Sequence, residues 1–118
     1  MIQTHLEIRV HHGQREAALA AFKARRVFEE CAGAISGFLG GELFTADEPD
    51  TLYVIAHWQS QAAADVWMAS PVRAAQNADL SHFLFEPPKG RLLQSSGYAL
   101  EIPQKPEYRD KVTKGPNT

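Results

Sequence analysis

The segment TLYVIAHW, Thr51 to Trp58, has no polar face. Leu52, Val54 and Ala56 share one register of an extended chain; Tyr53 and Ile55 share the other. Successive side chains of a strand point to opposite sides, so a strand apolar in both registers is one covered on both faces. Any fold for this chain must therefore supply a sheet with two covers. Turn chemistry bounds the strand: "ADEPD", Ala46 to Asp50, reads as a hairpin loop, and Ser60 is placed to cap a following helix.

The other elements fall around this strand. Thr4 to His11 alternates, with Leu6, Ile8 and Val10 against His5, Glu7, Arg9 and His11, which is the period of a half-buried strand. Gly13 breaks it. Gln14 to Ala32 reads as one long helix with an apolar stripe of Ala17, Ala21, Ala24, Phe28 and Cys31. Leu19, Phe22 and Val27 widen that stripe, and Gly33 is placed to stop the helix. Phe38 to Thr45 reads as a strand in which Gly40-Gly41 marks a bulge or a close backbone approach. The alanine-rich helix Gln61–Ala69 follows Ser60. Ser70-Pro71 then starts a second helix, with Val72, Ala75, Asp79 and Phe83 on one side, Leu80 near them, and Pro87-Pro88 at its end. Arg91 to Ile102 reads as a last strand carrying Leu93, Tyr98, Leu100 and Ile102. Residues 1–102 form one domain and 103–118 a polar tail.

Strand, helix, strand, strand, helix pair, strand is the split βαβ, or ferredoxin-like, order of an α+β fold. Helices cover one face of its antiparallel sheet. The two-sided strand then predicts that a second copy covers the other, sheet against sheet, in a homodimer.

Several function classes find no support. Net charge is −2 and no element gathers a basic face, which argues against nucleic acid as a partner. No segment has the length of a membrane span, and MIQTHLEIRVHH has no signal-peptide pattern; the expectation is a cytoplasmic protein without a membrane partner. No phosphate-binding glycine loop is present. The five histidines, His5, His11, His12, His57 and His82, show no metal-ligand spacing. Cys31 is the single cysteine and sits where a helix C-terminus disfavours a thiolate, so its expected role is structural.

The run Trp58, Ser60, Ala63, Trp67, Ser70, Pro71, Ala75 resembles the antibiotic biosynthesis monooxygenase (ABM) domain, as does the turn and strand SGFLGGELF, Ser36 to Phe44. The resemblance spans roughly Thr4 to Leu100. It implies a dimeric α+β barrel with a pocket between sheet and helices in each subunit. Some members of that family oxidise polycyclic aromatic substrates with O₂ and neither metal nor flavin. Another branch degrades haem with a strand asparagine, a helix tryptophan and a later histidine. Trp67 matches that tryptophan, but the asparagine position falls on Leu6 and the histidine position on Asn77. Without the imidazole an axial iron ligand is missing, so the resemblance favours oxygenation without a cofactor, with a haem-binding or haem-degrading monooxygenase as the first alternative. A non-catalytic ligand-binding module remains a further alternative.

The candidate site follows from these residues. Trp67 is either a core anchor or a wall that stacks on a planar small-molecule substrate. Small alanines beside that indole would leave room above the sheet. Trp58, closing its strand, reads as packing or interface. Arg73 and Asn77 lie four apart and share a helix face. Such a face is commonly a solvated one, but an amide beside a guanidinium is also suited to hold a phenolate or enolate oxygen. His82, and after it His57, are the candidate proton relays, because imidazole titrates near neutral pH.

Overall fold

The computed structural model describes residues 1–104. Four strands, β1 (Ile2–Arg9), β2 (Phe38–Thr45), β3 (Thr51–Trp58) and β4 (Lys89–Gln94), form one antiparallel sheet in the order β2-β3-β1-β4. Helices α1 (Arg15–Ala24), α2 (Val27–Ala34), α3 (Gln61–Met68) and α4 (Pro71–Leu80) complete the ferredoxin-like fold. The register of β1 on β3 sets Ile2 opposite Trp58, Thr4 opposite Ala56, Leu6 opposite Val54 and Ile8 opposite Leu52, so one face of the central pair is apolar apart from Thr4. On this face Trp58, Ile8 and Leu52 are fully buried beneath the helices. The opposite face carries Gln3, His5, Glu7 and Arg9 beside Tyr53, Ile55 and His57, with Phe44 and Leu93 exposed.

The helix expected over Gln14–Ala32 is two helices. Arg26 takes a left-handed conformation, φ 58°, ψ 47°, between them. The reason lies in the burial pattern. Ala18 and Phe22 are the buried residues of α1, whereas Cys31 is the buried residue of α2. At about 100° per residue, Phe22 and Cys31 would lie on opposite sides of a straight helix. The break turns both towards the sheet. The anticipated stripe is accordingly displaced: Ala17 and Ala24 face solvent. Gly33 does not stop the helix either, since α2 runs to Ala34 and ends at the extended Ile35.

The last third of the chain also differs from expectation. α4 ends at Leu80 rather than near Pro87. A single 3₁₀ turn, Ser81–Phe83, follows, and then Leu84 pairs with Val10 while the Phe85 amide donates to the Arg9 carbonyl. Pairing with the end of β1 draws this backbone out of the helix. The buried residues of α4 are Leu80, as expected, and Gln76, rather than Ala75 and Asp79. β4 stops at Gln94 instead of Ile102. There the Ser95 and Ser96 hydroxyls accept from the Gly97 and Tyr98 amides, and Gly97 has φ 87°. Such local bonds compete with a ladder, and Tyr98, Leu100 and Ile102 are left exposed. The tail expected from Pro103 lies outside the described residues beyond Gln104.

The double glycine in β2 satisfies both readings given to it. The register shifts between Phe38 and Gly40, and Gly40 has φ 142°. A Cβ on Gly41 would stand 2.6 Å from the Phe28 ring. That close approach lets α2 lie down on β2.

Candidate active site

A cavity of about 120 Å³ opens between the apolar face of the sheet and the helices. Its floor is Leu6, Ile8, Val54, Ala56 and Trp58, from β1 and β3. α2 supplies Val27, Phe28 and Cys31, and α3 supplies Trp67. α4 contributes Arg73, Gln76, Asn77 and Leu80, spaced three, four and seven residues from the first, which is one helical face.

Caps fix where α3 and α4 begin. The Ser60 hydroxyl accepts from the Ala63 amide, and Ser70 accepts from Val72 with Pro71 at the first helical position. The alanines of α3 do not line the hollow. Ala64 is buried, and a Cβ on Gly37 would meet the Ala63 Cβ at 2.6 Å. Their small size lets α3 press onto the edge of the sheet, so the expectation that they open room above it is corrected. The open space lies beside them, under α4 and α2, and Trp67 reaches it from the last turn of α3.

The two indoles differ. Trp58 is 1% exposed, its Nε1–H donates to Thr4 Oγ1 at 2.9 Å, and its ring tilts against Phe38 at 5.2 Å. It is a packed residue that forms part of the floor. Trp67 is half-buried and packs against the cluster around Trp58 from the helix side. Among the expected site residues, Trp67, Arg73 and Asn77 therefore meet at one cavity. Arg73 spends one N–H weakly on the Met68 carbonyl, at 3.4 Å, and guanidinium has further donors to offer. Asn77 stands exposed at the mouth.

The two histidines do not join them. His57 lies on β3 in the register of Tyr53 and Ile55, on the far side of the sheet. His82 is exposed on the 3₁₀ turn, its ring 4.2 Å from that of Phe83. The described residues lining the cavity include no histidine and no carboxylate. No group of three or more metal-ligating side chains occurs among the described residues.

Sequence reasoning overlooked Gln76. It is 6% exposed, and its Nε2 donates to the Val27 carbonyl at 3.2 Å and to Glu30 Oε1 at 3.1 Å. Glu30 in turn meets Arg25 at 2.6 Å, and Arg25 Nε donates to Asp79 at 2.9 Å. This network ties the α1–α2 break to α4. The Gln76 amide, and after it Arg25, hold the Glu30 carboxyl below its usual range, while Glu30 and Asp79 raise the already strongly basic Arg25. The available signal was position: Gln76 is three residues after Arg73 and four before Leu80. Cys31 faces the same cavity, and burial pushes its thiol up to about 12. It stays protonated at neutral pH and is a poor metal ligand or nucleophile. With no imidazole in the lining and this thiol held neutral, the residues do not fit an axially ligated haem.

The sequence matches the family model for antibiotic biosynthesis monooxygenases over residues 1–78, from β1 to within α4. The chain belongs to the antibiotic biosynthesis monooxygenase family. The matched span holds every polar residue of the α4 cavity wall and leaves β4 outside. Solved structures agree with the ABM fold. The ActVA-Orf6 monooxygenase of Streptomyces coelicolor, solved with nanaomycin D, superposes with a TM-score of 0.72 at 20% identity, covering 86% of this chain and 92% of that one. SnoaB of Streptomyces nogalater, described as a cofactor-independent oxygenase, gives 0.66 at 17% identity over 85% and 97%. Rv0793 of Mycobacterium tuberculosis gives 0.68 at 18% identity over 84% and 98%. At these identities the likeness is one of fold. No curated protein matches the chain. No helix among the described residues is long and apolar enough to cross a membrane.

Proposed function

We propose that this ABM-family chain is a small-molecule monooxygenase that oxidises a planar, enolisable aromatic substrate without a cofactor. The observation that carries the reading is the composition of the cavity: an apolar floor, an indole at its side, and Arg73 with Asn77 as donors at one wall. The substrate lies between the floor and Trp67. Its ring oxygen faces Arg73 and Asn77, which stabilise negative charge as it develops.

In the reaction a CH₂ group of the substrate loses a proton to give an enolate. The enolate passes one electron to O₂, and the resulting radical pair combines to a peroxide, which takes up a proton. Loss of water then leaves a new carbonyl, with one oxygen atom in the product and one in water. No imidazole or carboxylate lines the cavity among the described residues, so the first proton goes to water at the mouth. The reading assigns His82 and His57 no step. SnoaB is described as cofactor-independent, and that description supports the same economy here.

The reading includes a homodimer packed sheet against sheet. Exposed Phe44 and Leu93, on the face away from the helices, support it. Sedimentation equilibrium at micromolar concentration then gives twice the chain mass, and a monomer would remove this part of the reading.

The activity is tested with anthrone, a tricyclic ketone with an acidic CH₂, under ¹⁸O₂ and with metals chelated. The expected result is O₂ uptake above the spontaneous rate and one labelled oxygen in the product. Arg73→Met and Asn77→Leu each lower the rate by roughly 10²-fold. Uptake at the spontaneous rate, or uptake untouched by both substitutions, would contradict the proposal.

A further inference from the structure

Among the described residues, Gln76 is the one nearly sealed polar side chain in the cavity wall. Both partners of its amide nitrogen, the Val27 carbonyl and the Glu30 carboxylate, can only accept hydrogen bonds. The NH₂ group must therefore face them, which fixes the orientation of the amide. Its two donors are consumed. Among the described residues no donor reaches Oε1 within hydrogen-bond range, yet no buried side-chain oxygen is shut away without a partner. Oε1 therefore retains some accessible surface, and Gln76 is one of the residues that line the cavity.

We propose that Gln76 selects a ligand with a hydroxyl group, accepting a hydrogen bond from it through Oε1. Glu30, anchored by Arg25, is a positioning residue that keeps the amide from rotating. This deepens the oxygenase reading and rests on its premise that the cavity takes a planar aromatic ligand. The wall of α4 then sorts the oxygens of the ligand. Arg73 and Asn77 offer donors and suit an oxygen that becomes negative. Gln76 offers only a carbonyl oxygen, which repels an anion and retains a protonated phenol. The ligand hydroxyl stays neutral at Gln76 while charge develops at the oxygen that faces Arg73 and Asn77.

Calorimetric binding of 1-naphthol and its near-isostere 1-fluoronaphthalene to the full chain tests the assignment without requiring turnover. Wild type binds the naphthol about tenfold more tightly, as one well-made hydrogen bond to an otherwise unpaired acceptor allows. Gln76→Met keeps the size of the side chain and removes the acceptor, and the ratio falls to near one. Glu30→Ala frees the amide; the ratio falls while fluoronaphthalene binding holds, which a general loosening of the fold would not produce. It also serves should Gln76→Met fail to fold. Equal binding of the two probes by wild type overturns the assignment, as does a ratio that survives Gln76→Met. If wild type binds neither probe, the cavity premise fails and this assignment with it. A hydroxyl preference in a protein that does not oxidise anthrone supports the Gln76 role and overturns only the oxygenase reading.

Discussion

The floor of the cavity and its α4 wall are built from opposite materials. The floor, Leu6, Ile8, Val54, Ala56 and Trp58, is wholly apolar and belongs to the two central strands. The α4 wall carries Arg73, Gln76 and Asn77 on one face of a ten-residue helix. The floor residues also make the core, so a change there is felt as lost stability. The α4 residues stand at the rim of that core, where a change alters what the cavity can hold. Stability and chemistry are thus assigned to different elements, and substitutions in the two walls should separate them.

The largest effect expected is on the floor. Trp58→Ala removes a fully buried indole and strands the Thr4 hydroxyl; it should cost about 3–5 kcal/mol in denaturant unfolding. Trp67→Ala removes a half-buried one and should cost distinctly less. Equal losses would break the comparison. On the α4 wall, Arg73→Met should move unfolding by no more than about 0.5 kcal/mol while lowering oxygenation as given above. A loss of several kcal/mol would place Arg73 with the core instead.

The smallest effect sharpens the boundary between the walls. The folded-state pKa of Glu30 is depressed, chiefly by the Gln76 amide and then by Arg25. A carboxyl of this kind stabilises the fold above its unfolded pKa, and the contribution is lost as pH falls through the folded value. Unfolding midpoints measured from neutral to acid pH should therefore fall less steeply in Glu30→Gln than in wild type. Parallel curves would mean that Glu30 does not link α2 to α4.

The strands were legible in the sequence because period-two alternation and turn residues report directly on a sheet face. β2 and β3 match the residues expected of them, Phe38–Thr45 and Thr51–Trp58. The helical layer was less legible. The chain from Gln14 to Ala32 contains no proline or glycine, so nothing local announces the turn at Arg26. The break follows from where Phe22 and Cys31 must both point, which is a tertiary demand. The end of α4 was hidden for a similar reason, since its extended exit depends on pairing with β1. Trp67, Arg73 and Asn77 could be chosen from helical spacing and family resemblance. Gln76 shares that spacing with Arg73 and Leu80, but its burial was not legible, because a glutamine in a helix gives no sign of burial until Val27 and Glu30 arrive from another element. His82 and His57 were chosen for their chemistry alone, and the fold sends them elsewhere.

Everything functional here depends on Trp67 facing space that a flat ligand can fill. The two indole N–H signals in a ¹H–¹⁵N spectrum test that directly, with Trp67→Phe assigning them. Titration with 1-naphthol should shift the Trp67 signal saturably and more than that of Trp58, whose N–H stays bound to Thr4. An unmoved Trp67 signal, with or without changes elsewhere, would contradict the account.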